Sequence, residues 1–80
     1  MMSRQTIAEE FAVEAARAAQ IFEPFHSTHE GHSIVEEEYL ELRTEVFKKQ
    51  SDYDLTKMRV EAIHLGAMAL RFIYDLLEKE

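Results

Sequence analysis

Two lines of polar residues at helical spacing carry most of the chemical potential of this chain. Glu38, Glu41 and Glu45 stand three and four residues apart, so a helix would stack them along one side. Stacked carboxylates repel, at about 0.2–0.5 kcal/mol per pair on an exposed helix and more once desolvated. A bound cation relieves that cost. Magnesium in particular takes one or two carboxylates together with substrate phosphates. Acid stripes ordinarily face water, but this one borders the apolar line Val35, Tyr39, Leu42 and Val46 instead of opposing it. The second line is Lys57, Glu61, His64, Met68, Arg71 and Asp75. It runs between two apolar faces, where polar groups are expensive unless paired or used. Two uses are open. Lys57–Glu61 and Arg71–Asp75 can form ion pairs along a subunit seam, or Glu61 and His64 can face the glutamates of the preceding helix as one wall of a site.

The remaining histidines point less clearly to chemistry. His29 and His32 are three apart and would share a helix face, but no carboxylate or third histidine stands at a zinc-site spacing from them. They read, with His26, as polar residues near a helix start.

Three helices must position these groups. Thr6 with Glu9 makes a capping box for a helix over 6–22, with Ala8, Phe11, Ala12, Ala15, Ala19 and Phe22 on one face and Pro24 closing it. Ser27 with Glu30 caps a second helix that runs to about Lys49. A third should run from about Asp54 to about Leu77, with Ser51, Asp52 and Asp54 as candidate caps. On it, Met58, Ala62, Leu65, Ala69, Phe72 and Leu76 make one apolar face. Ile63, Ala67, Leu70, Tyr74 and Leu77 make another. Gly66, in mid-helix, reads as a point of close contact between helices.

The whole is expected to be one all-α domain over 1–80. Eighty residues bury a small core, and there is no cysteine to brace it with a disulfide or to bind a metal as thiolate. A helix apolar on two sides then implies assembly, as an oligomeric helical bundle, homodimer or homotetramer, with 62–72 in the seam. The net charge of -7 argues against a nucleic-acid polymer or an anionic membrane as partner. It leaves nucleotides open, because a metal ion reverses the local sign of an acidic site. No apolar run approaches the ~20 residues of a membrane span, and no signal-peptide pattern appears, so the expected location is cytoplasmic.

The run HEGHSIVEEEYLELRTEV followed by EAIHLGAMALRFIYDL resembles the MazG-like all-α nucleotide pyrophosphohydrolases, in particular the small phage and bacterial forms. The resemblance covers roughly residues 29–76. The family's mark is Glu-x-x-Glu on one helix and Glu-x-x-Asp on the next, four acids that hold magnesium. Glu38 and Glu41 match the first pair and Glu61 opens the second. His64 stands where the family has aspartate, and histidine suits manganese, zinc or nickel better than magnesium. The resemblance implies attack of water on a nucleoside triphosphate, giving the monophosphate and pyrophosphate. Magnesium, or manganese, would sit on Glu38, Glu41, Glu61 and His64. Glu37 or Glu45 would orient or deprotonate the water. Arg71 and Lys48 would contact phosphate. The rival reading is a non-catalytic helical interaction protein on the same fold, which the missing fourth acid favours. A third is a helical metal-binding module using histidine and glutamate.

Overall fold

The computed structural model describes residues 1–78. They form helices α1 (Arg4–Ile21), α2 (Thr28–Val46) and α3 (Leu55–Phe72). A 3-10 turn at Gln50–Asp52 precedes α3, and a π-helical turn at Ile73–Leu77 follows it. The described residues contain no strand, and no helix is long and apolar enough to cross a membrane.

Local sequence sets the helix ends. α1 begins a turn earlier than the Thr6–Glu9 pair implies, because Ser3 takes the cap: its Oγ accepts the Thr6 amide at 3.1 Å. Serine is at least as good a cap as threonine, and the earlier start adds backbone hydrogen bonds. α2 starts as expected, with Ser27 Oγ accepting the Glu30 amide at 3.0 Å. The Glu30 carboxylate reaches back one residue further than a capping box requires, to the His26 amide at 3.1 Å. α2 ends at Val46, not Lys49. Tyr53 Oη donates to the free Val46 carbonyl at 2.9 Å, and Lys48 turns back to Glu45. Asp54 caps α3 through the Lys57 amide, at 3.0 Å.

α3 lies between the other two and packs on both. Two glycines allow the approach. A Cβ on Gly31 would fall 2.7 Å from the Phe72 ring, and one on Gly66 would fall 2.9 Å from the Phe11 ring. Gly31 thus offsets its cost in helix propensity by admitting the end of α3.

The interior is small. Ala15, Ala18, Phe25, Ala67 and Met68 form the buried cluster, flanked by Ile34, Val35, Leu70, Phe72 and Leu76. Three expectations change here. On α1 the buried positions are Ala15 and Ala18, while Ala12, Ala19 and Phe22 are exposed. On α2 the heptad line is only half used: Val35 and Leu42 are partly covered, but Tyr39 is 51% and Val46 37% exposed. On α3, Ala67, Met68 and Arg71, within the stretch expected to form a seam, are buried inside the chain itself, while Ala69 is exposed. The line expected between two apolar faces is therefore the line that α3 turns toward its neighbours.

Candidate functional site

Because α3 turns that line inward, Glu61 and His64 meet α2. One ligand atom each from Glu38, Glu61 and His64 lies within 4.8 Å of the others. His64 Nδ1 is 4.0 Å from Glu38 Oε2. Glu38 Oε2 and Glu61 Oε2 are buried and have no hydrogen-bond partner. Burial, and then the neighbouring Glu41 carboxylate, push the Glu38 carboxyl up to about 7, with His64 pulling the other way. The same causes in the same order raise Glu61. Three acids thus crowd one imidazole. Folding has brought like charges together with only the His64 imidazole and, for Glu61, a more distant Lys57 to offset them, and such a cost persists when something else is gained.

A divalent cation fits this donor set. It would give two orphaned carboxylate oxygens a partner and relieve the repulsion that raises Glu38 and Glu61. Two carboxylates and an imidazole suit manganese or zinc better than magnesium. Glu41 is exposed and close enough to raise both acids, but it stands outside the group whose ligand atoms converge.

The remaining expected residues are spread out. Glu45 is 4% exposed and belongs to a different arrangement: Lys48 Nζ lies 2.9 Å from its Oε1 and Lys57 Nζ 3.9 Å from its Oε2. That corrects two expectations. A carboxylate held by two ammonium groups is not free to take a proton from water, and Lys48 is committed to it. The third expectation to change is the Lys57–Glu61 pair, since Lys57 turns to Glu45 instead. Arg71 and Asp75 do approach, at 3.7 Å.

Beside the cluster, a cavity of about 590 Å³ opens between α1, the connector Phe22–Ser27, α2 and α3. Glu37, Glu38, His64 and Arg71 all line it. Glu37 is exposed at its edge. Arg71 is buried, stacked on the Phe25 ring at 4.5 Å, and donates through Nη2 to the Glu23 carbonyl at 2.9 Å. Asp75, on the π-helical turn, accepts the Phe25 amide at 3.1 Å and so ties the connector to the end of α3. Sequence reasoning missed Phe25 and Asp75 as organisers of this cavity. The signal for Phe25 was its place directly after Pro24, which ends α1 and turns the chain back. His26 pairs with Glu23 and Glu30 at the cavity's edge, whereas His29 and His32 are exposed and belong to no acidic group.

Compared with models of known protein families, with curated proteins and with solved structures, the chain matches none.

Proposed function

We propose that this chain is a divalent-metal-dependent pyrophosphohydrolase of the MazG-like kind, cleaving nucleoside or deoxynucleoside triphosphates to the monophosphate and pyrophosphate. One observation carries the reading: Glu38, Glu61 and His64 converge within 4.8 Å, with two buried oxygens lacking partners, beside a cavity of ligand size. Glu38, Glu61 and His64 would hold the cation, manganese more readily than magnesium. When bound, the cation neutralises phosphate charge and makes water more acidic.

The chain's own residues do the rest. Glu41 is exposed and adjoins both Glu38 and Glu61, so it is the acid best placed to receive a proton from the attacking water. It takes the role first considered for Glu37 or Glu45. Arg71 is too enclosed to clamp phosphate freely and instead braces Phe25 against the cavity.

The working form is a homodimer or homotetramer. A compact monomer of this length exposes about 5,000 Å². This chain exposes 6269 Å². The excess, roughly 1,200 Å², is more than one partner contributes to a standard interface. Tyr39, Leu40, Phe47, Tyr74 and Leu77, each at least half exposed, are the apolar groups it would cover. This moves the seam from 62–72 to the outer face of α2 and the end of α3. The same exposed groups favour the second reading, a non-catalytic interaction protein, if the acidic cluster binds nothing. The acidic net charge and the lack of a spanning helix suit a cytoplasmic enzyme acting on free nucleotides.

Incubation of the purified chain with a panel of triphosphates and magnesium or manganese, with pyrophosphate release as the readout, tests the proposal. Metal-dependent release that disappears in Glu38→Gln and Glu61→Gln is expected. No release from any triphosphate with either metal, from a correctly folded protein, rejects it in favour of the interaction protein.

A further inference from the structure

Lys48 and Arg71, the two cations expected to hold phosphate, are both occupied. Lys48 is bound to Glu45, and Arg71 is enclosed, stacked on the Phe25 ring and hydrogen-bonded to the Glu23 carbonyl. A triphosphate at this site would then meet a metal ion but no basic side chain. Two arginines line the cavity beside the acidic cluster, Arg17 and Arg71, and they differ in access. Arg17, on α1, keeps 56% of its side chain exposed, against 5% for Arg71. It lies outside residues 29–76, the stretch that resembles the MazG-like family.

Arg17 is held by one partner. Its Nε and Nη2 donate to the two Glu14 carboxylate oxygens at 2.9 and 2.6 Å, one turn back on the same helix. The guanidinium holds the Glu14 carboxyl below its ordinary value, and His64 adds a smaller pull in the same direction. The pair therefore stands beside the acidic cluster. An exposed ion pair of this kind contributes little net stability, because water and salt screen it and two side chains lose freedom to hold it. The same planar fork matches two phosphate oxygens. A triphosphate carries several charges where Glu14 carries one, so it competes well for the guanidinium. Glu14 is then left beside a cluster that has gained a cation, which offsets its charge. Arg59 grips Glu10 in the same two-pronged way but does not line the cavity.

We infer that Arg17 is the phosphate-binding residue of this site, and that its guanidinium passes from Glu14 to the phosphate oxygens when a metal-bound triphosphate enters. The choice of a triphosphate as the anion rests on the pyrophosphohydrolase reading. Glu38 and His64 share the cavity's lining with Arg17, so one bound chain of phosphates can meet both the cation and the guanidinium.

Two measurements on the full chain test the inference. In the first, inorganic tripolyphosphate is titrated into the protein with manganese in excess, and binding is followed by calorimetry. Arg17→Ala should bind it at least about tenfold more weakly, the effect of losing hydrogen bonds to a charged group. Arg17→Lys, which keeps the charge without the fork, should fall between the two. Glu14→Gln frees the guanidinium beforehand and should bind more tightly than wild type. Arg59→Ala removes the same charge outside the cavity and should stay within about twofold of wild type, since salt screens distant charges. In the second measurement, kcat/KM for nucleoside triphosphates with manganese should follow the same order. Equal binding by wild type and Arg17→Ala, or a loss no larger than in Arg59→Ala, overturns the inference, as does weaker binding in Glu14→Gln. Where triphosphates are still hydrolysed, the pyrophosphohydrolase reading then stands. Binding that depends on Arg17 with no hydrolysis supports the phosphate contact and removes the proposed reaction instead.

Discussion

Glu38 and Glu45 stand two turns apart on the same line of α2, and both are withdrawn from water. Their surroundings on α3 are opposite in sign. Lys57 faces Glu45, and with Lys48 it leaves that carboxylate between two ammonium groups. Glu61 and His64 face Glu38, with Glu41 added from its own helix, and no lysine or arginine is paired with it among the described residues. One turn of α3 separates Lys57 from Glu61, so one helix contact closes a charge at one level and opens one at the next. A buried carboxylate with its cations in place is a structural element. A buried carboxylate facing others is a vacancy for a positive charge, and the contrast is what singles out the upper level as a site.

The largest effect should come from supplying that charge. Manganese at a hundredfold excess over its dissociation constant should stabilise the wild type by about 2.7 kcal/mol. Thermal melts should show this gain lost in Glu38→Gln and Glu61→Gln and kept in Glu45→Gln. A gain that survives Glu38→Gln would place the metal elsewhere and remove the distinction between the two levels.

Without metal, the two glutamates should respond oppositely to neutralisation. Glu45→Gln removes one charge-assisted hydrogen bond and one looser ion pair, both to partly exposed lysines, and should lower stability by about 1 kcal/mol at neutral pH. Glu38→Gln removes repulsion and should raise it by about 1–2 kcal/mol. Denaturant titration of both variants measures the difference directly, and two losses of equal size would erase the comparison.

The pH dependence follows from the same cluster. Glu38 is raised from 4.5 to about 7 in the folded chain, so between those values the folded protein keeps a proton that the unfolded chain has released. The stability this contributes is fully present below pH 4.5 and is lost as the pH rises through about 7. Allowing for partial solvent screening, metal-free stability should decline by about 1–2 kcal/mol across that window. Manganese should flatten the decline, and Glu38→Gln should remove much of it. A metal-free wild type with no decline would mean that Glu38 is already compensated.

The smallest effect is expected at His64. His64→Asp adds a fourth carboxylate to the vacancy, so metal-free stability should fall by about 1 kcal/mol while magnesium affinity rises about tenfold. Calorimetry with magnesium and with manganese checks both changes. A magnesium affinity that fails to rise in a folded His64→Asp protein would mean that a carboxylate at position 64 does not reach the ion.

Much of this molecule is legible one segment at a time. Ser27 with Glu30, Pro24 after Phe22, and the cap candidates Ser51, Asp52 and Asp54 before an apolar run place two helix starts and one end to within a few residues, because caps and proline act locally. The acid stripe of α2 and the line from Lys57 to Asp75 are likewise visible as helical spacings. The register between those lines is not. That Lys57 meets Glu45, so that Glu61 and His64 meet Glu38, depends on how far α3 slides along α2. Gly31 against Phe72 marks that register, and a missing Cβ says nothing in sequence about what will approach it. The inward face of α3 was misjudged for a related reason. Apolar residues occupy most of its circumference, so periodicity alone does not single out one side. The decision fell to contacts with both α1 and α2, which buried Ala67, Met68 and Arg71 and left Tyr74 and Leu77 outside. Local chemistry set the helices and the stripes of charge they carry. Only their packing decided which charges would be answered by an opposite charge and which would be left facing their own kind.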